Sequence, residues 1–372
     1  MEDFWEKNKH NCSAKSLCYK LLCPLWLKKS FVTLRLHVFV AKTFVVSVNP
    51  WLCLLCLKSE LHPVLLYHCN MTVIPPYLSK GDTIGIVCPG GYLPIEKAQT
   101  CIRVLTEWGF EVKAGKTLGS QLNYFSGNDE QRLEDLQEML DDDSIKAVLC
   151  GRGGYGVGRI IDRINFKRFK KKPKWIIGYS DITVLHSHIY NRFKIASLHS
   201  PMAAAFNDDE YKNEYIQSLK AVLTSEKPKY SCEIDPRNNT GTATGTLVGG
   251  NLSILAHLTG TPSDINTKGK ILFLEDVGEY IYNIDRMLYQ LKRNGKFDEL
   301  EGLIIGGFTE TKDTVIPFGK DAYEVVYDAI KEYSYPVCFR FPVGHARENY
   351  VLKVGAQYKL HVGKKVVTLQ EE

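Results

Sequence analysis

Between residues 81 and 178, short apolar runs alternate with amphipathic segments. The runs Thr83–Val87, Ile145–Cys150 and Lys174–Gly178 have the length and composition of buried strands. The segments 94–108 and 127–140 carry apolar residues every three or four positions, and this spacing predicts helices. A strand–helix–strand rhythm predicts an α/β fold with a parallel sheet covered by helices on both faces.

The second half of the chain has a different pattern. A polar stretch over residues 227–241 predicts a domain boundary or linker. Residues 252–258 and 281–291 have helical spacing. Strand-like runs follow at Ile271–Leu274, Leu303–Ile305, Tyr350–Val354, Tyr358–Val362 and Lys365–Leu369. Because little helix separates the closing runs, we expect an N-terminal α/β domain over 71–230 and a β-rich domain over 241–372.

Charge and cysteine are distributed unevenly. Residues 1–70 hold nine Lys or Arg against four Asp or Glu, which accounts for the whole net charge of +5, and residues 71–372 hold 38 of each. A balanced body does not indicate nucleic-acid binding. Six of the 11 cysteines also lie in the first 70 residues, and the other five are scattered singly. Scattered cysteines in apolar runs are typical of reduced thiols in a cytoplasmic protein.

The first 70 residues do not resemble part of the α/β body. Their apolar stretch over residues 36–57 is interrupted by Lys42, Asn49 and Pro50, so it makes a poor membrane span. It also lacks the pattern of a signal peptide. The favoured interpretation is an upstream extension outside the natural product, with Met71 as the true start. A poor membrane anchor and a genuine extra subdomain are the alternatives.

The sequence Gly-Tyr-Ser-Asp over residues 178–181 directly follows a buried strand and precedes a helical segment. A serine in such a turn projects its hydroxyl clear of the sheet, and the next backbone N–H is free to bind an oxyanion. Ser180 is therefore a candidate nucleophile. The ordinary alternative is a serine that caps the following helix. As a nucleophile, Ser180 needs a base to accept its proton.

Two further residues are candidates for activating this hydroxyl. His345 lies in a loop after an apolar stretch, where a side chain can reach into a cleft, although a loop histidine is often structural. Glu275 follows a predicted buried strand, at the edge where open α/β sheets place their ligands. Asp276 and Glu279 compete with it, and a helix N-cap is the ordinary role of such a carboxylate.

A glycine-rich loop over residues 151–156 offers further oxyanion donors, because glycines allow the backbone N–H groups to approach a ligand. The donors would be Gly153 and Gly154. A phosphate-binding loop is the alternative, but neither G-x-x-x-x-G-K nor G-x-G-x-x-G occurs here. The cysteine pair at 53 and 56 lacks a second pair or paired histidines, so the sequence predicts no metal and no cofactor.

Eight motifs occur in a fixed order between residues 81 and 345. They are Gly81-Asp-x-Ile84 with Cys88-Pro-Gly90, Ser126-Gly-Asn-Asp-Glu-x-Arg132 with Asp135-Leu136, Arg152-Gly-Gly-Tyr-Gly156, Gly178-Tyr-Ser-Asp-Ile-Thr183, His199-Ser-Pro201, Gly249-Gly-Asn-Leu-Ser253 with Gly260-Thr261, Leu274-Glu-Asp276 with Glu279, and Gly344-His345. Each is weak alone, but eight in order are highly specific. Over residues 75–370 the chain resembles the LD-carboxypeptidase family of serine peptidases, which includes muramoyltetrapeptide carboxypeptidases and microcin C self-immunity peptidases.

The resemblance implies a catalytic triad of Ser180, His345 and Glu275, with an oxyanion hole formed by the backbone of Asp181 and the Gly153–Gly154 turn. It implies a Rossmann- or flavodoxin-like N-terminal domain, a β-rich C-terminal domain and an active site in the cleft between them. It also implies a cytoplasmic homodimer that uses no metal and whose enzyme body needs no membrane.

The implied reaction removes the terminal D-alanine of cell-wall muropeptide tetrapeptides, at an L,D amide bond, in peptidoglycan recycling. Arg152 and Arg347 adjoin the triad and are candidates for binding the terminal carboxylate. The alternative function is a microcin C self-immunity hydrolase of aminoacyl- or peptidyl-nucleotide carboxamides. That function predicts an aromatic loop for the base, and no obvious tryptophan-bearing insertion follows Trp175.

The chain departs from the family pattern at two places. It has Pro89-Gly90 where the family often has Pro-Ser, and His199-Ser200-Pro201 where the family often has His-Gly-Pro. Neither departure changes a residue of the proposed triad. Both lie in segments where they could alter contacts with the substrate.

Overall fold

The structure is a computed structural model that describes residues 72–207 and 211–372. Residues 70–372 form one compact unit. The predictions for the first 70 residues and for Met71 fall outside the described residues. Among the helices described, none combines the length and the apolar composition of a membrane-spanning segment.

The described strands and helices alternate through the first half, as the apolar pattern predicts. The strands are β1 Thr83–Val87, β2 Glu111–Ala114, β3 Ile145–Cys150, β4 Trp175–Gly178, β5 Ser197–His199, β6 Lys229–Cys232, β7 Gly241–Asn251, β8 Lys270–Val277, β9 Gly302–Thr309, β10 Val337–Cys338, β11 Leu352–Val354, β12 Gln357–Val362 and β13 Val367–Glu371. The helices are α1 Glu96–Glu107, α2 Asp129–Asp141, α3 Val157–Ile160, α4 Lys167–Lys171, α5 Thr183–Phe193, α6 Glu214–Leu223, α7 Leu252–Leu258, α8 Ile281–Arg293 and α9 Ala322–Ile330.

The first sheet has the strand order β11-β5-β4-β3-β1-β2. Strands β1 to β5 pair in parallel. Apolar residues on one face, such as Ile84 and Ile177, pack with α1 and α6. Residues on the other face, such as Val148 and Ile176, pack with α2 and α5. The prediction of an α/β fold with helices on both faces is confirmed.

Helix α2 shows how local sequence sets an element's start. Asn128 is its N-cap and accepts a hydrogen bond from the backbone of Gln131, whose side chain in turn accepts from the backbone N–H of Asn128. This reciprocal pair satisfies two N–H groups that would otherwise lack partners at the helix end. The acidic residues Asp129 and Glu130 in the first turn also favour the helix dipole.

The second sheet has the order β10-β9-β8-β7-β12-β13-β6 and is mixed, with β7 to β10 parallel and the remaining pairs antiparallel. Its two edges approach each other. Cys232 in β6 lies with its Sγ 3.8 Å from the Sγ of Cys338 in β10. Asn239 and Val337 exchange two backbone hydrogen bonds of 3.0 Å. The sheet therefore curls around an apolar core that includes Tyr358.

Two details differ from the sequence-based expectation. The polar stretch over residues 227–241 contains β6, the edge strand of the second sheet, so it is more than a linker. The sequence predicts the segment 350–354 as a strand of the β-rich C-terminal domain. Its strand β11 instead pairs antiparallel with β5 of the first sheet. The C-terminal part of the chain therefore completes the sheet that the N-terminal part begins.

A buried ion pair links β11 to strand β13 of the second sheet. The Nζ of Lys353 in β11 lies 2.7 Å from Oε2 of Glu371 in β13, and it donates to the hydroxyl of Tyr77 at 3.1 Å. Lys353 is wholly buried and Glu371 nearly so. Burying two charges is costly unless they remain paired, so each charge requires the other to stay in place.

We expect Lys353→Met to lower the free energy of unfolding by about 3–5 kcal/mol, because the carboxylate of Glu371 would stay buried without its cation. Urea denaturation of the full chain measures the change. The control is Lys359→Met on the exposed side of β12, for which we expect a change within about 0.5 kcal/mol. Equal effects of the two substitutions would contradict a structural role for the buried pair.

Candidate active site

Ser180 lies two residues after the end of β4, at the start of a single 3-10 turn that leads into α5. Its φ is +65°, in the left-handed region that a serine rarely adopts. A backbone strained in this way is common at functional sites. The N-cap residue of α5 is Ile182, and no side chain forms a capping hydrogen bond there. The helix-capping alternative for Ser180 is therefore not what the structure shows.

The glycine-rich loop passes immediately beside Ser180. A Cβ at Gly153 would lie 3.1 Å from Ser180 Oγ and 3.3 Å from the backbone N of Asp181. Only glycine fits this approach. Within residues 72–207 and 211–372, the backbone N–H groups of Gly153, Gly154 and Asp181 donate no hydrogen bond to another described residue. Such N–H groups are available to a negatively charged oxygen.

Arg132 fixes the two loops that frame this serine. Its guanidinium is fully buried, and it donates to the carbonyl of Pro89 at 2.5 Å and to that of Gly156 at 2.9 Å. It also bonds the side chain of Asp129. A single buried cation thus joins the loop after β1 to the end of the glycine-rich loop. The motif that contains Arg132 therefore has a structural role beside the site.

The side chain of Asp181 has a structural partner in the backbone of α3. Its Oδ2 accepts the backbone N–H of Val157 at 2.9 Å, which links the serine turn to α3. Burial raises the pKa of this carboxyl to about 6, against the lowering effect of that N–H and of Arg132. The carboxylate of Asp181 is therefore engaged with the backbone of α3, and the role of its backbone N–H in an oxyanion hole stays a prediction.

Glu275 and His345 form a direct hydrogen bond. His345 Nδ1 lies 2.7 Å from Glu275 Oε2, with the carboxylate wholly buried and the imidazole side chain 16% exposed. Gly344 allows the approach, since a Cβ there would lie 2.7 Å from the Cβ of Glu275. The Oγ1 of Thr309 donates to the carbonyl of His345 and holds the loop. Because the carboxylate can only accept, Nδ1 carries the proton and Nε2 is the ring's free base.

The surroundings of His345 act on its pKa in opposite directions. Burial lowers the pKa, but the hydrogen bond and negative charge of Glu275, with further contributions from Asp276 and Glu310, outweigh that effect. The pKa of His345 is therefore above its ordinary value of 6.5. The imidazolium form is stabilised, as a base that must receive a proton during a reaction requires.

The two competing carboxylates have other partners. Asp276 accepts from Asn251 Nδ2 and from the backbone N–H of Ser253, both at 2.9 Å. Burial and the neighbouring charge of Glu275 raise the pKa of Asp276 to about 7. Glu279 accepts from the side chain of Asn283 at 3.2 Å. Of the three acidic residues, Glu275 is the one that binds the imidazole of His345.

Sequence reasoning did not identify Tyr179, an aromatic residue that is next to both Ser180 and His345. The ring of Tyr179, which directly precedes Ser180, packs against the imidazole of His345 with 4.7 Å between ring centres. It also contacts the buried ring of His199. No hydrogen bond joins Ser180 Oγ to His345 within the part of the chain that the structure describes. Tyr179 is thus next to both residues, since it precedes Ser180 in the chain and its ring packs on His345.

The two predicted substrate-binding arginines lie in different surroundings. Arg152 is exposed, donates to the carbonyl of Tyr92 at 3.0 Å and lines a pocket of about 360 Å³ together with Tyr179. Arg347 is exposed, and its positive charge lowers the pKa of Tyr215 in α6, against the larger raising effects of burial and Glu214. It is not among the residues that line this pocket. Of the two arginines, Arg152 is the one beside the serine turn.

Comparison with known proteins shows which family the chain belongs to. The models of the LD-carboxypeptidase N-terminal and C-terminal domains match residues 84–200 and 244–360. The chain belongs to the LD-carboxypeptidase family. It is 37% identical to a probable murein peptide carboxypeptidase of Bacillus subtilis, over 80% of this chain and 94% of that protein. It is 29% identical to the murein tetrapeptide carboxypeptidase of Pseudomonas aeruginosa, over 72% and 89%.

Solved structures agree with this fold. The muramoyltetrapeptide carboxypeptidase of Oxalobacter formigenes superimposes with a TM-score of 0.71 at 30% identity, over 78% of this chain and 98% of that protein. The microcin C7 self-immunity protein MccF, in complex with aspartyl sulfamoyl adenosine, gives a TM-score of 0.72 at 22% identity, over 81% and 99%. The prediction of family membership from eight ordered motifs is confirmed.

Both departures from the LD-carboxypeptidase pattern fit their surroundings. A Cβ at Gly90 would lie 2.7 Å from the carbonyl oxygen of Gly153, so the glycine lets the two loops touch. Ser200 is fully buried, and its hydroxyl donates to the carbonyl of Pro201. In the described ranges, no group of three His, Cys, Asp or Glu side chains could hold a metal ion.

Substituting Gly153 tests the approach of the glycine loop to Ser180. We expect Gly153→Ala to slow labelling of Ser180 by a fluorophosphonate about a hundredfold or more, because the new methyl group crowds Oγ and displaces oxyanion donors. The control is Gly158→Ala in α3, where a Cβ would meet nothing within 4 Å. Intact-protein mass spectrometry follows the rate. Equal labelling of both variants would show that the loop is not part of the site.

The pH dependence of labelling tests the contact between Glu275 and His345. Labelling requires neutral His345, so the rate should rise with pH through a midpoint above 6.5. In Glu275→Gln the negative charge is lost while burial remains, so the midpoint should move to lower pH and the maximal rate should fall. Glu279→Gln is the control and should keep the midpoint. A shift in the control but not in Glu275→Gln would assign the wrong carboxylate.

Proposed function

We propose that this protein is a serine LD-carboxypeptidase that releases the terminal D-alanine from muropeptide tetrapeptides. The observation that carries the proposal is the 2.7 Å hydrogen bond between Glu275 and His345, beside a serine in a strained turn. Family membership and the names of the relatives from B. subtilis, P. aeruginosa and O. formigenes support the same reaction.

In the proposed mechanism, Ser180 Oγ attacks the carbonyl carbon of the L,D amide while His345 Nε2 accepts the hydroxyl proton. The carboxylate of Glu275 accepts the Nδ1–H of the imidazolium, which fixes the ring's tautomer and orientation. The raised pKa of His345 favours this proton transfer. The proposal requires Nε2 to come within hydrogen-bond distance of Oγ in the substrate complex, as catalytic hydrogen bonds often form or tighten on substrate binding.

The developing oxyanion would be bound by the N–H of Asp181 and by those of the Gly153–Gly154 turn. The tetrahedral intermediate then collapses: the C–N bond breaks, and the proton on His345 goes to the nitrogen of the departing D-alanine. Water attacks the resulting acyl-serine with His345 again acting as base, and Ser180 is regenerated. Each oxyanion donor is expected to contribute about a hundred- to a thousandfold to the rate.

We further propose the domain division at residues 71–230 and 241–372, with the site in the cleft between the two sheets. Ser180 follows β4 of the first sheet, and Glu275 lies in β8 of the second. A cytoplasmic homodimer is the proposed setting. The scattered cysteines support the cytoplasm, and the five that the structure describes are free thiols.

The full-length protein should remove one D-alanine from a muramoyl tetrapeptide, seen by mass spectrometry as conversion to the tripeptide. Ser180→Ala should abolish turnover and keep the thermal unfolding midpoint, because the substitution removes one oxygen at a partly exposed position. Aspartyl sulfamoyl adenosine serves as the competing substrate and should remain intact. Retained turnover by the alanine variant, or cleavage of the nucleotide compound alone, would refute the proposal.

A further inference from the structure

A pocket of about 360 Å³ opens beside the serine turn, at the small end of the range for ligand sites. Two of its lining residues directly precede groups of the proposed machinery: Tyr179 comes before Ser180, and Arg152 comes before Gly153. Since neighbouring Cα atoms are about 3.8 Å apart, the pocket adjoins the reacting serine.

The charged side chains that line the pocket are both positive. Lys97 from the first turn of α1 and Arg152 from the glycine-rich loop both line it, and no acidic residue is among the lining residues that the structure describes. The side-chain amide of Asn207 adds a polar group, while Leu93 and Met202 supply apolar surface. A small ligand with a negative charge and a short apolar part suits such a lining.

One hydrogen bond orients Arg152 in this lining. Its Nη1 donates to the carbonyl of Tyr92 at 3.0 Å. The side chain also runs alongside Gly91, where a Cβ would lie 3.8 Å from both Cδ and Nε of Arg152, an ordinary van der Waals distance. A guanidinium anchored at one nitrogen still has other N–H groups to offer to a carboxylate, and Lys97 supplies a second positive charge.

We propose that this pocket binds the carboxylate of the amino acid that is released, and that Lys97 and Arg152 together restrict the enzyme to the chain end. The inference rests on the proposed carboxypeptidase function and names the residues that select its substrate. A substrate whose terminal carboxylate is blocked loses these contacts. The apolar lining contacts the side-chain methyl of the departing D-alanine.

The test compares a tetrapeptide that ends in D-alanine with the same peptide ending in D-alanine carboxamide. Full-length protein should hydrolyse the free acid at least about tenfold more efficiently, because tenfold corresponds to about 1.4 kcal/mol, which is within what one hydrogen bond to a charged group contributes. Lys97→Gln should lower kcat/KM on the acid about tenfold, mainly through KM, and reduce the acid-to-amide ratio by a similar factor. Arg152→Gln should reduce this ratio too.

The matched control is Lys146→Gln, which removes an exposed lysine on β3 and should leave the ratio as it is in the unsubstituted protein. A ratio near one in the unsubstituted protein, or a ratio that Lys97→Gln leaves unchanged, would overturn the inference while the carboxypeptidase function stands. Peptides with lysine or diaminopimelate in the third position form a second arm. If Lys97→Gln affects only the diaminopimelate peptide, the pocket binds that side chain's carboxylate, and the inference is wrong.

Failure of the proposed function has a different signature, in which the unsubstituted protein cleaves neither peptide. In that case, calorimetry measures the binding of the acid and the amide peptides to Ser180→Ala protein. This measurement tests the carboxylate site independently of turnover. Tighter binding of the acid than of the amide, lost when Lys97→Gln is added, supports the carboxylate site. Equal binding of the two peptides overturns it.

Discussion

The hydrogen bond between Glu275 and His345 joins residues that lie 70 positions apart, and the arrangement of the site depends on it. Glu275 stands near the carboxyl end of β8, where a buried carboxylate has few possible partners. His345 reaches it from the loop after β10 because Gly344 carries no side chain. A wholly buried charge needs such a partner, so this contact constrains where the loop can lie.

A second set of polar contacts ties the acid strand to the serine turn. Asp276, next to Glu275, binds Asn251 at the end of β7, and the backbone N–H of Asn251 donates to Thr183 Oγ1 at 3.1 Å. Thr183 is the first residue of α5, just after the serine turn. A Cβ at Gly250 would lie 2.6 Å from Thr183 Oγ1, so the second sheet touches this helix directly. The network fixes the two sheets relative to each other at the point where chemistry is proposed.

Much of the fold and of the candidate site could be predicted, because local patterns in the sequence indicate them. Apolar runs bounded by glycine predict strands such as Ile145–Cys150, and the structure begins and ends that strand at the same residues. Ser180 was recognisable because a serine between a strand and a helix is a distinctive pattern. Family motifs then selected Glu275 over Asp276 and Glu279, which the residues alone had left open. The structure gives a physical reason for that choice, since the other two carboxylates are held by Asn251 and Asn283.

Other features leave no such signal. Tyr179 packs on His345, and Lys97 lines the pocket with Arg152, only because distant segments meet. Strand β11 could not be assigned to the first sheet, because its apolar pattern suits either sheet and its partner β5 lies about 150 residues earlier.

The sequence by itself determined the family and many of the strands and helices, and it named Ser180, His345 and Glu275 as candidates, since each of these rests on local periodicity or on a short ordered motif. The tertiary structure alone supplied the contact between Glu275 and the imidazole, and it alone decided which sheet receives β11 and which cations line the pocket. These depend on packing between segments far apart in the chain, and neither periodicity nor spacing encodes a distance across such a contact.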